Sequence, residues 1–530
     1  MQITGSYDLN TRQNCFSACD NVQSFSDEKL EICTVCTTNS GFASELALLY
    51  LENGMQCTDM INDMYMAVIF DRRDSSLHIF ADITTSALNM YYAVKDNTLY
   101  YSTSLKKLLI DCGIKRSMNL RAAKAFLANG YVFGSETLIN NIHKLKFGCE
   151  ITVENEKVLQ KEYTYTIEKL PANYGKKNLM PSIEQSVREC IDENAETEIF
   201  MPLSGGFDSN MILNTIKKSD DRTVNAITVG GKAGKNEVDA VRQNVSHMSG
   251  VVLNETFVDT SFYNCFADIV WRLEGFVFES GVFLQYALAK SARENGAEYL
   301  ICGEGSDETQ SVYYYESLKR VLGGEAKENE KFFIYSDPFI GTNMLILKKS
   351  SLMLNSFGIA GKYPFKNKRV AQAAVSVSKL NGTGKKYYKN QCKKEFLPQI
   401  VRNLKTTGGT TGNAAAVSPE QISELSSVLT GNPLLSAIAE YDYPIHTCGR
   451  SKNLRRKQYF ERGIDEIKNY GLIKGLKKTI GLGKKQNAAS LLKKAYLVIF
   501  DELFISGKYD ASFTGESSPV DTQQIIRRQQ

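Results

Sequence analysis

Apolar and polar positions fall into two regimes along this chain. Through about residue 160 the apolar positions come in short runs separated by charged turns. MAVIFDRRDSSLHIFADI sets two such runs on either side of a charged turn, which predicts a hairpin. ALNMYYAVKDNTLYYSTS repeats the device, with its turn at Lys95, Asp96 and Asn97. Helical spacing interrupts twice. Near Ser44–Glu52, Leu46, Leu49 and Tyr50 share a face, and over Leu120–Ala128, Ala123, Phe126 and Leu127 do the same. This part reads as a sheet-rich, layered domain.

From about residue 175 strands and helices alternate. Strands are predicted at Glu198–Leu203, Val224–Val229, Val251–Val258 and Glu298–Cys302. Helices over Met211–Lys217, Val238–Met248 and Gly281–Asn295 separate them. Alternation of this kind builds a parallel, doubly wound sheet, whose ligands bind at the carboxyl ends of the strands. Beyond about residue 400 the pattern is mostly helical, and KNLRRKQ and GLKKTIGLGKK make it basic. We read these as a solvated helical face, and the terminal GESSPVDTQQIIRRQQ as a disordered tail. The segments are 1–172, a sheet-rich domain; 173–420, the parallel-sheet domain; and 421–530, a helical basic extension and tail.

With 530 residues, 43% hydrophobic and 23% charged, the chain has the balance of a soluble protein of two or three domains. A net charge of +4 gives no reason to expect a nucleic-acid partner. No apolar run is long enough to predict a transmembrane segment, and MQITGSYDLNTRQN lacks the features of a secretory signal, so a cytoplasmic location is expected. Of the 12 cysteines, most sit singly in apolar stretches, as buried thiols of a reducing compartment do. Cys15, Cys19, Cys33 and Cys36 have zinc-like spacing. However, ICTVCT reads as a strand, which turns Cys33 and Cys36 to opposite faces.

The chemistry is concentrated in PLSGGFDSN, Pro202–Asn210, between a strand and a helix. The first N–H groups of a helix lack intrahelical partners, and its dipole favours an anion. Gly205 and Gly206 let a phosphate chain approach the backbone, and Ser204 and Ser209 offer hydroxyl donors. A carboxylate among phosphate donors suits a bound Mg²⁺, which is the role expected of Asp208. No Lys follows the second glycine, so this is not a Walker loop. Gly303-Glu304-Gly305-Ser306-Asp307-Glu308 follows another strand and brings a second acid, Asp307, to the same sheet edge.

SGG-x-DS after an apolar strand resembles the pyrophosphate loop of the PP-loop ATP pyrophosphatases. LSGGFDS followed by GEGSDE is similar to the synthetase domain of the asparagine synthetase family, which includes β-lactam synthetases and lasso-peptide cyclases. SLHIFADITTSALNMYYAVKDNTLYYSTSLKKLL, FLANGYVFGSETLINNIHKLKFGCEI and ITVGGKAGKNEVDAVRQNVSHMSGV resemble further family segments, and the likeness extends through LPQIVRNLKTTGG. The resemblance implies an α/β chain: an Ntn-hydrolase-like αββα domain, then an adenine-nucleotide α-hydrolase-like (PP-loop) parallel-sheet domain with a helical C-terminal extension. It implies that Leu203, Val229, Cys302 and Gly303 line the AMP moiety, and that Ser204, Gly205, Gly206 and Ser209 hold pyrophosphate. Asp208 and Asp307 would bind Mg²⁺. Glu304 would handle the proton of the nucleophile, and Lys405 would contact the phosphates and the transition state. TTGGTTGNAAA after it reads as a closing loop.

One departure narrows the expected substrate. Glutamine-using members place a nucleophilic Cys directly after the initiator Met, where this sequence has Gln2; its first cysteine is Cys15. The expectation is therefore an AMP-forming ligase that joins a small-molecule or peptide carboxylate to an amine without hydrolysing glutamine. Macrolactam, β-lactam or peptide cyclisation fits that expectation, with a precursor peptide or partner protein as the candidate companion. The alternatives are an asparagine synthetase fed by free ammonia, a tRNA-modifying PP-loop enzyme, and an inactive scaffold that binds a peptide.

Overall fold

The computed structural model describes residues 2–18, 22–36, 41–62, 64–82, 88–132, 134–146, 148–154, 156–162, 170–192, 198–231, 236–279, 281–310, 345–377, 383–396, 398–404, 416–442 and 488–529. Lys405, most of the loop after it and both basic stretches lie outside these residues.

Among the described residues, eleven strands build the N-terminal part: β1 (Ile3–Asp8), β2 (Asn14–Ala18), β3 (Gln23–Ser26), β4 (Leu30–Cys36), β5 (Tyr65–Asp71), β6 (Ser76–Ala81), β7 (Tyr91–Lys95), β8 (Thr98–Ser102), β9 (His143–Lys144), β10 (Cys149–Glu154) and β11 (Lys157–Glu162). They form two antiparallel sheets, ordered β2-β1-β8-β7-β9 and β11-β10-β6-β5-β4-β3. Period-two alternation gives each sheet an apolar inner face, so Ile3, Tyr7 and Leu99 of one pack on Val35, Val68 and Ile79 of the other. Helix α1 (Phe42–Asn53) covers the outer face of the six-stranded sheet through Leu46 and Tyr50. Helices α2 (Leu105–Cys112) and α3 (Leu120–Asn129) cover the five-stranded one. The result is the expected αββα layering. Both predicted hairpins are present, and Asp96 and Asn97 turn the second with φ of 50° and 58°.

The second part begins with α4 (Ala172–Asp192) and continues as β12 (Ile199–Pro202), α5 (Phe207–Ser219), β13 (Val224–Gly231), α6 (Asn236–Val245) and β14 (Val251–Val258). Strands β12, β13 and β14 are parallel, with Ile199 opposite Val224 and Val224 opposite Val251. Next come α7 (Phe266–Leu273), α8 (Val282–Glu294), β15 (Tyr299–Ile301) and α9 (Ser306–Thr309). Helix α10 (Leu345–Ser356) leads into β16 (Ala360–Lys362), which pairs in parallel with β15. Helices α11 (Lys368–Val377) and α12 (Thr383–Glu395) complete the domain.

The parts share one core. Tyr496 of a helix over 488–500 packs against both Phe126 of α3 and Phe266 of α7 with tilted rings, at separations of 5.0 and 6.2 Å. Glu274, just after α7, reaches across and caps α2. It accepts hydrogen bonds from Leu105 N (2.8 Å), Lys106 N (3.4 Å) and the Ser104 hydroxyl (3.0 Å).

One expectation is corrected here. Much of the terminal segment read as a disordered tail is ordered: Thr522–Arg528 is a helix with a capping box between Asp521 and Gln524. Ile525 and Ile526 are buried in the shared core, and the Thr522 hydroxyl donates to Asn264 O at 2.8 Å. The polar composition hid two adjacent apolar anchors and a cap, which are enough when a docking face exists.

Two buried ammonium groups mark the junction between the domains. Lys348 of α10 donates to Leu88 O and Lys144 to Val132 O, and both lie over the Phe276 ring, at 5.7 and 5.1 Å. Burial, reinforced by Lys144, pushes Lys348 from 10.5 down to about 7 against the pull of Asp82. The folded chain therefore holds fewer protons than the unfolded chain between about pH 7 and 10.5, and its stability rises with pH across that window. Relative to Lys348→Met, the wild type should gain about 2–3 kcal/mol between pH 7 and 9. Urea denaturation of both proteins at the two pH values checks this; parallel pH slopes would refute it.

Candidate active site

The carboxyl end of β12 runs into the loop Leu203–Gly206 and then into α5. Leu203 is buried and held to the sheet by Leu203 N donating to Ile227 O at 2.8 Å. The loop is folded by its own polar groups. Ser204 N donates to Ser209 Oγ at 3.1 Å, and the two serine hydroxyls lie 3.0 Å apart. Asn210 Nδ2 bridges Ser204 O and Gly206 O at 3.0 and 2.7 Å. Gly206 is the N-cap of α5 and provides no side-chain cap, so the helix presents open backbone donors. Exposed Ser204 stands beside them, with Gly205 and half-buried Gly206 next in the loop. Such an arrangement of donors can cradle an oxyanion.

The second motif meets the first at backbone distance. A Cβ on Gly303 would lie 3.3 Å from Ser209 N and 3.4 Å from Asp208 Cβ, so only a glycine allows this approach without displacement. Cys302 is fully buried and Cys302 N donates to Lys362 O at 2.7 Å, so it has only backbone to offer a ligand. Half-buried Val229 lies near the carboxyl end of β13. The structure thus brings Leu203–Ser209 and Cys302–Asp307 together, although β12 and β15 belong to separate hydrogen-bonded sheets.

A residue absent from the sequence reading joins the acids. Lys385 of α12, 7% exposed at its side chain, donates to Asp208 Oδ1 at 2.7 Å, Asp307 Oδ1 at 2.8 Å and Ser306 Oγ at 2.9 Å. Burial by itself lowers the Lys385 pKa, but the two aspartates raise it more, and the net direction is upward. It therefore stays charged through the neutral range. Nothing in GTGKKYYKN distinguishes this lysine from its neighbours, and Asn210 likewise looked like an ordinary helix residue.

On the far side of Gly303, Glu304 is half-buried. Burial raises its pKa, while Lys349 and a hydrogen bond from Ser350 pull it down. Lys349 pairs with Glu279. A polyanion cradle with two convergent carboxylates thus lies next to a separate, partly buried acid. Such an arrangement suits phosphate-ester chemistry followed by a proton transfer.

The site lies in the α/β part of the chain, which follows the αββα domain. The asparagine synthase family model matches residues 179–329, and the glutamine amidotransferase domain model matches residues 28–164. These matches together support membership of the asparagine synthetase family, with a glutaminase-like N-terminal domain. It is 20% identical over 375 residues, 67% of this chain, to asparagine synthetase B [glutamine-hydrolyzing] of Escherichia coli (strain K12). It is 22% identical over 369 residues, 64% of this chain, to a probable asparagine synthetase [glutamine-hydrolyzing] of Schizosaccharomyces pombe. The matched regions span 61% and 60% of those relatives. A glutamine phosphoribosylpyrophosphate amidotransferase from B. subtilis aligns with 58% of this chain and 71% of its own at 8% identity, with a TM-score of 0.19. Among the described residues, no helix is long and apolar enough to cross a membrane.

Proposed function

We propose that this protein is an ATP-dependent ligase that adenylates a carboxylate and couples it to an amine not drawn from glutamine, as in macrolactam or β-lactam formation. The observation that carries this reading is the Asp208–Lys385–Asp307 group at the mouth of the anion cradle, with Glu304 on the other side of Gly303. ATP would bind with its phosphates on the α5 N-terminus, Ser204, Gly205, Gly206 and Ser209, and its AMP portion along Leu203, Val229 and the backbone of Cys302 and Gly303. Two carboxylate oxygens converging on one point, now held by Lys385, form a donor set suited to a hard divalent cation. Asp208 and Asp307 would hold Mg²⁺, which supplies neutralising charge for the departing pyrophosphate.

A carboxylate oxygen attacks the α-phosphorus, the bond to pyrophosphate breaks, and an acyl-adenylate forms. The amine nitrogen then attacks the carbonyl carbon, the bond to AMP breaks, and Glu304 accepts the amine proton. Lys385, displaced from its carboxylates, is placed to follow the phosphate charge. Lys405 remains a candidate for stabilising the second transition state.

Independence from glutamine is supported by the residues at the head of β1, Gln2 and Ile3, neither of which is a nucleophile. Exposed Cys15 lies one strand away, opposite Ser6. Burial pushes Cys33 and Cys57 up to about 12, away from thiolate reactivity. The second reading, an ammonia-dependent asparagine synthetase, is favoured by the acidic form of the Glu304 position. The discriminating test is AMP and pyrophosphate release from Mg-ATP with aspartate plus ammonium, and with aspartate plus glutamine. Release with ammonium alone selects the second reading, and release with glutamine overturns glutamine independence. No release with either, but release with a peptide or β-amino acid substrate, supports the first.

A further inference from the structure

Ser306, the first residue of α9, and Gln310, just past its end, are 1% and 0% exposed. Polar side chains buried so completely need partners. Gly305 makes the turn that brings Ser306 back against α5. Its φ is 91°, and a Cβ there would also meet Lys366 Cγ at 3.1 Å. Backbone bonds close the turn, from Thr309 N to Gly305 O at 2.9 Å and from Gln310 N to Ser306 O at 3.0 Å. The Thr309 hydroxyl anchors it by donating to Phe365 O at 2.9 Å.

The hydrogen bonds of Ser306 can be counted to completion. The three ammonium protons of Lys385 go to Asp208 Oδ1, Asp307 Oδ1 and Ser306 Oγ. Gln310 Nε2 donates to the same Ser306 oxygen at 2.9 Å. A serine oxygen accepts two hydrogen bonds and donates one, so its single proton goes to Asp208 Oδ1, 2.8 Å away. The orientation of the Gln310 amide follows from the same count. With Oε1 turned to Ser306 instead, one hydroxyl proton would have to serve two acceptors, leaving one pair of oxygens in contact without a proton. Gln310 therefore fixes the direction of the Ser306 hydroxyl. That hydroxyl donates to a charged oxygen, the stronger class of hydrogen bond.

The geometry points to Ser306, held by Gln310, as the positioning residue that sets the Asp208 carboxylate for the metal of the nucleotide, an inference that rests on the reading above. Lys385 holds the same carboxylate oxygen at 2.7 Å, but it must leave when a divalent cation takes its place between the two acids. Ser306 carries no charge that the cation would repel, so its bond to Asp208 outlasts the exchange. A neutral donor behind a metal-binding carboxylate fixes its orientation without competing for its charge.

The test measures calorimetric binding of Mn²⁺-ATP to the full-length protein, with metal-free ATP in EDTA as the control. Ser306→Ala should weaken binding of the metal complex about 10- to 100-fold, the usual effect of removing the hydrogen-bond partner of a metal ligand, and leave metal-free ATP unchanged. Gln310→Met should weaken the metal complex by a smaller factor. In an Asp208→Ala background, Ser306→Ala should add little, because it acts through that carboxylate. Equal losses with and without metal, or an undiminished loss in the Asp208→Ala background, would overturn the inference. Should Ser306→Ala fail to fold, Gln310→Met decides alone, and an unweakened metal complex there is the refuting result. A second arm needs no nucleotide. In urea denaturation, the double variant should lose less than the sum of the two single losses, and strictly additive losses would show that Ser306 does not hold Asp208. Should the wild type bind neither form of ATP, the ligase reading fails, and the denaturation arm still decides the tie between Ser306 and Asp208.

Discussion

Replacing Asp208 by Asn should lower AMP formation from Mg-ATP by about 100- to 1000-fold, the range seen when one preorganised electrostatic group is removed from a reacting centre. The fold should survive. Lys385 keeps Asp307 at 2.8 Å and the Ser306 hydroxyl at 2.9 Å, and Asn is nearly isosteric with Asp. Melting should therefore move by no more than a few degrees, roughly what a loss of about 1 kcal/mol produces in a protein of this size. The pairing of outcomes is what discriminates. A peptide-binding scaffold would be indifferent to the change, since the hydrogen bonds of Asp208 go to Lys385 and Ser306, both within the site. AMP release is measured with aspartate first and then with whichever carboxylate supports the wild type. Retained AMP release in Asp208→Asn would remove this residue from the chemistry.

The site was legible in the sequence wherever its chemistry is local. LSGGFDS folds on its own hydroxyls and on Asn210, so its local shape follows from its residue types without any distant contact. The strands at 199–202, 224–231, 251–258 and 299–301 lie within a few residues of the predicted ones, because buried parallel strands are short apolar runs bounded by turns. What escaped depends on distance along the chain. Lys385 lies 177 residues from Asp208, and only tertiary folding sets its ammonium between two carboxylates. The same holds for Glu274, whose carboxylate caps a helix about 170 residues earlier. The C-terminal helix escaped for another reason: SSPVDTQQIIRRQQ is polar enough to be solvated, and only a docking surface makes Ile525 and Ile526 count. Cys33 and Cys36 do occupy a strand, as ICTVCT suggested, with Cys33 buried and Cys36 half-buried.

Lys385→Met should have two effects of opposite sign, and their combination is diagnostic. In the wild type the Lys385 ammonium neutralises Asp208 and Asp307 from within the site. Methionine fills a similar volume but leaves the carboxylates facing one another without a cation. Removing one partner of a buried pair costs about 3–5 kcal/mol, and the 26% and 39% exposure of the two aspartate side chains brings the expected loss nearer 1–3 kcal/mol. The variant should melt earlier in divalent-free buffer, and AMP formation should fall by at least about 100-fold for want of the charge that follows the phosphates. Millimolar Mg²⁺ without nucleotide should then recover much of the lost melting temperature, because two unpaired carboxylates form a better cation site than two already paired with an ammonium. The wild type should respond little to the same addition, since there Mg²⁺ competes with a covalently tethered cation. A purely structural lysine predicts the early melting but no gain on adding Mg²⁺, and that result would assign Lys385 to stability alone. The expected result makes Lys385 a resident counter-ion, offsetting one of the two carboxylate charges until a nucleotide and its metal arrive together.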